Sequence, residues 1–380
     1  MRTKALYIVD QLLFSAISFI LFLILDRRFQ SEDVAQYSVM ISGAAFLLNV
    51  GFALTVEKSL GQETKVFSFY DLVAIASLLI LASIPIYIFL WGSYLYGKSL
   101  AALMVINALL WLARRICVLN SRNIHKTICI STVSGLLLSV ASMLIVDFFQ
   151  LLMVFIIIST ISLAWLSSIA IHSRGNGWMA SIKEIFIPPG QLLKSISLVP
   201  LLWFPSNGIY LILSSLGETF VIIETRKLLM LLSPVQQVSS AIINYIFSRG
   251  RRYNSSFVEV AILPLAASLI VTPVSAVVYN SFLAGHNTTL SLWFAFALIV
   301  ASMITISIAQ SVFRVHGIHS VVITVFSFLA LVKITCLYLY INYMGGVDLL
   351  GSFGSMAIAY VLSSALLMVM FFGKYKTLRN

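Results

Sequence analysis

Apolar residues come in long uninterrupted runs broken by short polar stretches, with neither the alternation of a half-buried strand nor the stripe of a soluble helix. A helix that crosses a bilayer needs about 20 apolar residues. Twelve runs meet that length, at 5–25, 37–56, 70–91, 99–117, 127–147, 150–171, 192–214, 219–247, 257–278, 289–313, 318–341 and 349–372. One polar stretch is different. In 173–191, Trp178, Ile182, Ile185 and Phe186 recur at helical spacing, with Lys183 and Glu184 on another face. That pattern predicts a short amphipathic helix on a membrane surface. It divides the chain into a six-helix bundle at 1–172, a linker helix at 173–191 and a second six-helix bundle at 192–380. A weak echo between the halves, Asp33-Val-Ala-Gln-Tyr37 against Glu218-Thr-Phe-Val-Ile222, fits a parallel repeat.

Composition supports this reading. Of 380 residues 60% are hydrophobic and 10% charged, against about 25% charged in a soluble domain. The expected fold class is therefore an all-α polytopic membrane protein.

The net charge of +11 would suggest nucleic acid in a soluble chain. Here its distribution gives another meaning. Basic residues gather at the N-terminus, in every second connection and in the tail: Arg2 and Lys4, then the groups around Lys58, Arg114, Arg174, Arg249 and Arg314, then Lys374 to Arg379. The alternate connections hold Arg27, Arg28 and Lys98. By the positive-inside rule both termini are expected in the cytoplasm, and no nucleic-acid partner is expected. The longest outer connection is expected to be 26–36, too short for a folded outer domain.

Some motifs mislead. Gly92-Ser-Tyr-Leu-Tyr-Gly-Lys-Ser99 matches a phosphate-binding loop but lies between two spans, where that motif has no supporting strand. His316 and His319 flank a short loop and predict a solvated pair, not a metal site. Cys117, Cys129 and Cys336 lie in or beside apolar runs and suggest no disulfide framework. No catalytic constellation, cofactor motif or metal site is visible, so the chain is not expected to be an enzyme.

Three basic residues fall inside predicted spans: Arg226 and Lys227 in the eighth, Lys333 in the eleventh. At 1.5 Å per residue all three lie roughly 10–14 Å below the outer surface. A charge at mid-span costs about 2.5–3.5 kcal/mol on insertion scales, so each needs a wet cavity, a partner or a route to the interface. Glu224 stands three residues before Lys227, at a favourable pairing distance. The sharper alternative is an electropositive cavity in which fixed cations replace the hydration of an anionic ligand. The candidates for such a cavity are Arg226, Lys227, Lys333, Glu224 and Asn207. Asp10, near the inner end of the first span, is the coupling candidate, and Arg27 and Arg28 are outer-gate candidates that face Asp26, Glu32 and Asp33. Pro200, Pro205 and Gly208 make the seventh span the best hinge candidate.

Several stretches resemble the polysaccharide transporter family, O-antigen flippase-like members of the multidrug/oligosaccharidyl-lipid/polysaccharide exporter superfamily. They are Leu25 to Tyr37 with Asn49 to Lys58, then Pro205-Ser-Asn-Gly-Ile-Tyr210 through Glu218, Arg226-Lys-Leu228 with Ser233-Pro-Val-Gln-Gln237, and the glycine-rich Gly345 to Ala359. Two positions depart from the family pattern: Tyr210, where it often has Asp, and Ala35 or Gln36, where it has Gly. The resemblance implies two six-helix bundles around a central cavity, worked by alternating access. It implies export of an undecaprenyl diphosphate-linked oligosaccharide, an O-antigen, capsule or exopolysaccharide repeat unit, across a bacterial inner membrane. Expected partners are that glycan, membrane lipid, and polymerase and chain-length proteins of the same pathway. No cofactor is expected, and an ion gradient or the membrane potential would drive the cycle. Two other functions are compatible with this hydropathy: a multidrug exporter of the same fold, and a membrane O-antigen polymerase or ligase, which is expected to carry a long outer loop.

Overall fold

The computed structural model describes residues 2–59, 68–91, 96–119, 124–170, 177–186, 189–235, 258–283, 288–316 and 318–378, together with Ser239, Ile242 and Ile246. The described chain is helical. Its helices are α1 (Arg2–Arg28), α2 (Ser31–Ser59), α3 (Phe69–Trp91), α4 (Gly97–Leu119), α5 (Ile124–Leu144), α6 (Phe148–Ala170), α7 (Trp178–Phe186), α8 (Pro189–Ser215), α9 (Thr219–Leu231), α10 (Leu263–Val278), α11 (Leu290–Val315), α12 (His319–Met344) and α13 (Leu349–Leu378). Eleven of the predicted spans and the stretch of the predicted linker have a helical counterpart; of the span expected at 219–247, α9 covers Thr219–Leu231 and most of 236–247 lies outside the described residues. Among the described residues nine helices are long and apolar enough to cross a membrane, and the chain is a multi-pass membrane protein.

Helix ends follow local chemistry. Ser68 and Asp71 cap α3 reciprocally: the Ser68 N–H donates to Asp71 Oδ2 at 2.9 Å and the Asp71 N–H to Ser68 Oγ at 3.1 Å. Asp147 accepts the Gln150 N–H at 2.9 Å at the head of α6. Gly345 ends α12 with φ 74°, a left-handed conformation that glycine adopts without strain. Asp348 then accepts the Gly351 N–H at 2.6 Å and opens α13.

One connection is much shorter than expected. The stretch 26–36 is not a loop: α1 runs to Arg28 and α2 begins at Ser31. Arg27 and Arg28 sit in the last turn of α1 and Glu32 and Asp33 in the first turn of α2, where each sign complements the helix dipole. These charges extend two helices beyond the apolar layer instead of breaking them.

The chain forms two compact units, Met1–Trp203 and Phe204–Asn380, and the division falls within α8. In unit 1, α1 pairs with α5, α4 with α6, and α2 with α4. α1 and α5 approach closely at Gly135, where an added Cβ would lie 2.2 Å from Ile17 Cγ2. α7 packs against α3 and buries Ser181 and Ile185 while Met179 stays exposed. The first half of α8 also belongs here: the Trp203 indole N–H donates to the Ser42 carbonyl at 2.8 Å and its ring meets Phe46 edge-on.

In unit 2, α13 packs on both α11 and α12, α10 packs on α11, and α9 touches α13. α10 is flanked by π-helical turns, Val258–Ile262 and Tyr279–Leu283. Buried hydroxyls run through this unit, and several return to their own helix, as Ser311 does to the Ser307 carbonyl at 2.7 Å.

Candidate functional site

The charged residues of α9 lie inside the protein. Glu224, Thr225 and Lys227 are buried together with Val221, Ile222, Ile223 and Leu228. Lys227 Nζ meets Glu224 Oε1 at 2.7 Å, the i,i+3 pair expected from the sequence. The Tyr279 hydroxyl donates to the other carboxylate oxygen, Glu224 Oε2. Tyr279 sits at the start of the π-helical turn after α10 and packs edge-on against Trp293 of α11, with ring centroids 5.7 Å apart. One carboxylate therefore ties together α9, α10 and, through two rings, α11. The sequence offered no sign of this contact, because Tyr279 is 55 residues from Glu224 at the end of an apolar run.

Arg226 makes a different contact. Its guanidinium carbon lies 5.8 Å from the centroid of the Tyr210 ring on α8, within cation–π range. Tyr210 is wholly buried. The Tyr210 hydroxyl and Arg226 Nε are both buried and have no hydrogen-bond partner. Two unsatisfied polar groups side by side are costly, and both could be satisfied by one acceptor that a ligand brings. Asn207, partly buried, stands one turn before Tyr210 on α8.

Lys333 is wholly buried, so its amine does not reach the helix surface. It shares a stripe of α12 with Val322, Leu329 and Leu337, all buried; α12 packs mainly on α13. Thr225 Oγ1 and Ser352 Oγ, 3.4 Å apart, link α9 to α13. The structure thus brings Glu224, Lys227 and Tyr279 into one cluster and Arg226 and Tyr210 into another, on adjacent positions of α9.

The remaining candidates fall elsewhere. Arg28 donates to the Met143 carbonyl at the end of α5 and shares a cavity with Glu32 and Asp33, the acidic neighbours expected in its own connection; Arg27 is exposed. Asp10 lies in α1, but its side chain is outside the described residues, as is that of Pro205. α8 is continuous through Pro200, Pro205 and Gly208. The phosphate-loop pattern opens α4 with Gly97, Lys98 and Ser99, and the element before it is a helix, α3. His316 Nδ1 lies 2.9 Å from the Val312 carbonyl at the end of α11. Among the described residues no group of His, Cys, Asp or Glu could hold a metal ion.

No family model matches the sequence. No curated protein matches it either. Solved structures do. The fold is similar to that of the eukaryotic MATE transporter AtDTX14, with a TM-score of 0.67 and 13% identity over 97% of this chain and 94% of that one. It is similar to an inward-facing multidrug resistance MATE family transporter of the MOP superfamily, with a TM-score of 0.61 and 11% identity over 97% and 95% of the two chains. An outward-facing conformation described in the same terms matches at 0.55 and 10% over 100% and 96%. At these identities the fold is what is shared. The chain has the all-α, two-bundle fold of the MATE transporters, whose superfamily is the one the sequence resembles.

Proposed function

We propose that this protein is an alternating-access exporter that moves an anionic, diphosphate-linked glycan lipid from the inner to the outer leaflet. The observation that carries the reading is the Arg226–Tyr210 pair, a half-buried guanidinium whose buried Nε has no partner, set over a buried phenol. A diphosphate supplies several strong acceptors, and arginine binds such groups in a planar, two-point fashion. Lys333, buried in the same unit, adds a second cation of the kind an anionic headgroup needs in place of water. The resemblance of Pro205 to Glu218 and of Arg226 to Leu228 to the polysaccharide transporters supports the same substrate. Solved structures of this fold include inward-facing and outward-facing forms, which supports alternating access. In this reading the protein lies in a bacterial inner membrane with both termini in the cytoplasm, and an ion gradient or the membrane potential drives it.

The test is deletion of the gene, followed by asking which leaflet holds the lipid-linked glycan. Accumulation on the cytoplasmic side, reversed by the intact protein and not by Arg226→Ala at equal protein level, is the expected result. Normal translocation in the deletion strain overturns the reading.

A second reading has its own support. The similar structures include transporters described as multidrug resistance proteins, so export of organic cations is the alternative for the same fold. The basic residues inside unit 2 weigh against a cationic cargo there. Efflux of a cationic dye that depends on this protein, with no effect on the glycan lipid, would establish it.

A further inference from the structure

We propose that one end of unit 1 carries a saccharide pocket of its own, shaped for neutral or amine-bearing sugar rings. The α1–α2 and α5–α6 connections and Tyr96, just before α4, meet there around a cavity of 490 Å³, within the range of about 300–1,000 Å³ usual for small-ligand sites. Such sites are ordinarily apolar with a few polar groups. This one is the reverse. Arg28, Gln30, Glu32, Asp33, Gln36 and Asp147 line it, and every one of these side chains ends in a planar group with two or more hydrogen-bonding atoms. Planar two-point groups match the adjacent hydroxyls of a sugar ring.

The mixture of groups narrows the ligand. Carboxylates only accept hydrogen bonds, guanidinium only donates, and glutamine amides do both. A hydroxylated ligand both donates and accepts, so it satisfies all three kinds at once. Some of these groups already have structural duties: Asp147 caps α6 through the Gln150 N–H, Arg28 holds the Met143 carbonyl, and Gln36 Nε2 lies 3.5 Å from Glu32 Oε1. Gln36 Oε1, in contrast, is buried and has no partner.

Three aromatic rings complete the wall. Phe29 and Tyr96 each meet Phe148 edge-on, at 5.6 and 5.8 Å between centroids. Phe148 is buried and Tyr96 also stacks on Phe149, so these rings fix the apolar side of the wall. Charge sets the selectivity. Three carboxylates, with Asp33 in the field of both Glu32 and Asp147, face one guanidinium, which disfavours acidic sugars and tolerates an ammonium substituent. A bare metal ion does not fit, since the described carboxylates are not grouped closely enough to hold one.

In the orientation proposed above this end faces outward, so the pocket would receive the glycan as it emerges. That role rests on the export reading; the chemistry of the pocket does not. The test is saturation-transfer NMR on the full chain in lipid nanodiscs, with methyl glucoside, glucosamine, glucuronic acid and tetraethylammonium as separate probes. Methyl glucoside and glucosamine should show contact, and glucuronic acid at least about tenfold less, the equivalent of one charge-assisted hydrogen bond. Glu32→Gln, Gln36→Leu and Tyr96→Ala should each weaken the sugar signal about fivefold, a single lost contact, with the melting temperature showing that each variant is folded. Equal signals from all three sugars, no sugar signal, contact by tetraethylammonium alone, or a sugar signal that survives all three folded variants would each overturn the proposal. Sugar contact in a protein that fails to move the glycan lipid would keep this pocket and discard the export reading. Glycan movement with no sugar contact would do the opposite.

Discussion

In unit 1 several charged side chains stand at helix ends. Arg27 and Arg28 close α1, Glu32 and Asp33 open α2, and Asp147 caps α6. In unit 2 three charged side chains stand within the protein, Glu224 and Lys227 on α9 and Lys333 on α12, beside others at helix ends such as Asp348. The first arrangement has a sufficient structural explanation, because terminal charges complement helix dipoles and remain close to water. The second does not. A charge within a bundle must be paired, wetted or functional, and Glu224, Lys227 and Tyr279 are held by their mutual contacts. Arg226 over Tyr210 is left with capacity that the fold does not use. The same residue types therefore carry different information depending on whether an end or an interior holds them.

The contrast can be broken most severely at the buried pair. Glu224→Leu leaves Lys227 without its carboxylate and removes the acceptor for Tyr279; loss of one member of a buried ion pair costs about 3–5 kcal/mol. Thermal unfolding in detergent should show a clear drop, and Glu224→Leu with Lys227→Leu should recover most of it. A double variant no more stable than the single one would show that the pair is not what holds the cluster.

For Lys333 the test separates transport from folding. Lys333→Met, compared at equal amounts of folded protein, is expected to lower transport at least about tenfold, the loss of one charged hydrogen bond to the ligand. Full transport by the folded variant would make Lys333 a structural residue.

The smallest effect is expected at a helix end. Ser68→Ala removes the reciprocal cap of α3 and should cost about 1 kcal/mol in stability, with transport unchanged at equal protein level. A transport defect there would mean that helix ends carry function as interiors do.

Much of the fold was legible in the chain, because a run of about 20 apolar residues has few other fates. The linker helix could be seen in the spacing of Trp178, Ile182 and Ile185, yet its packing on α3 could not, since the pattern gives a face and not its partner. The 26–36 connection was overestimated because polarity marks where the apolar layer stops, not where a helix does. The Glu224–Lys227 pair followed from local spacing. Tyr279 reaching Glu224, Tyr210 under Arg226, and Tyr96 meeting the α1–α2 and α5–α6 connections around one cavity are tertiary facts. Helices that are apolar nearly all round do not reveal which face meets which neighbour.

The most direct test of the central claim uses purified protein in liposomes and a leaflet-selective probe of an undecaprenyl diphosphate-linked oligosaccharide. The intact protein is expected to move the lipid between leaflets, and Arg226→Ala, folded and present in equal amount, to slow that movement at least about tenfold. Movement at the parental rate in Arg226→Ala, or no movement by the intact protein alongside transport of an organic cation, would contradict it.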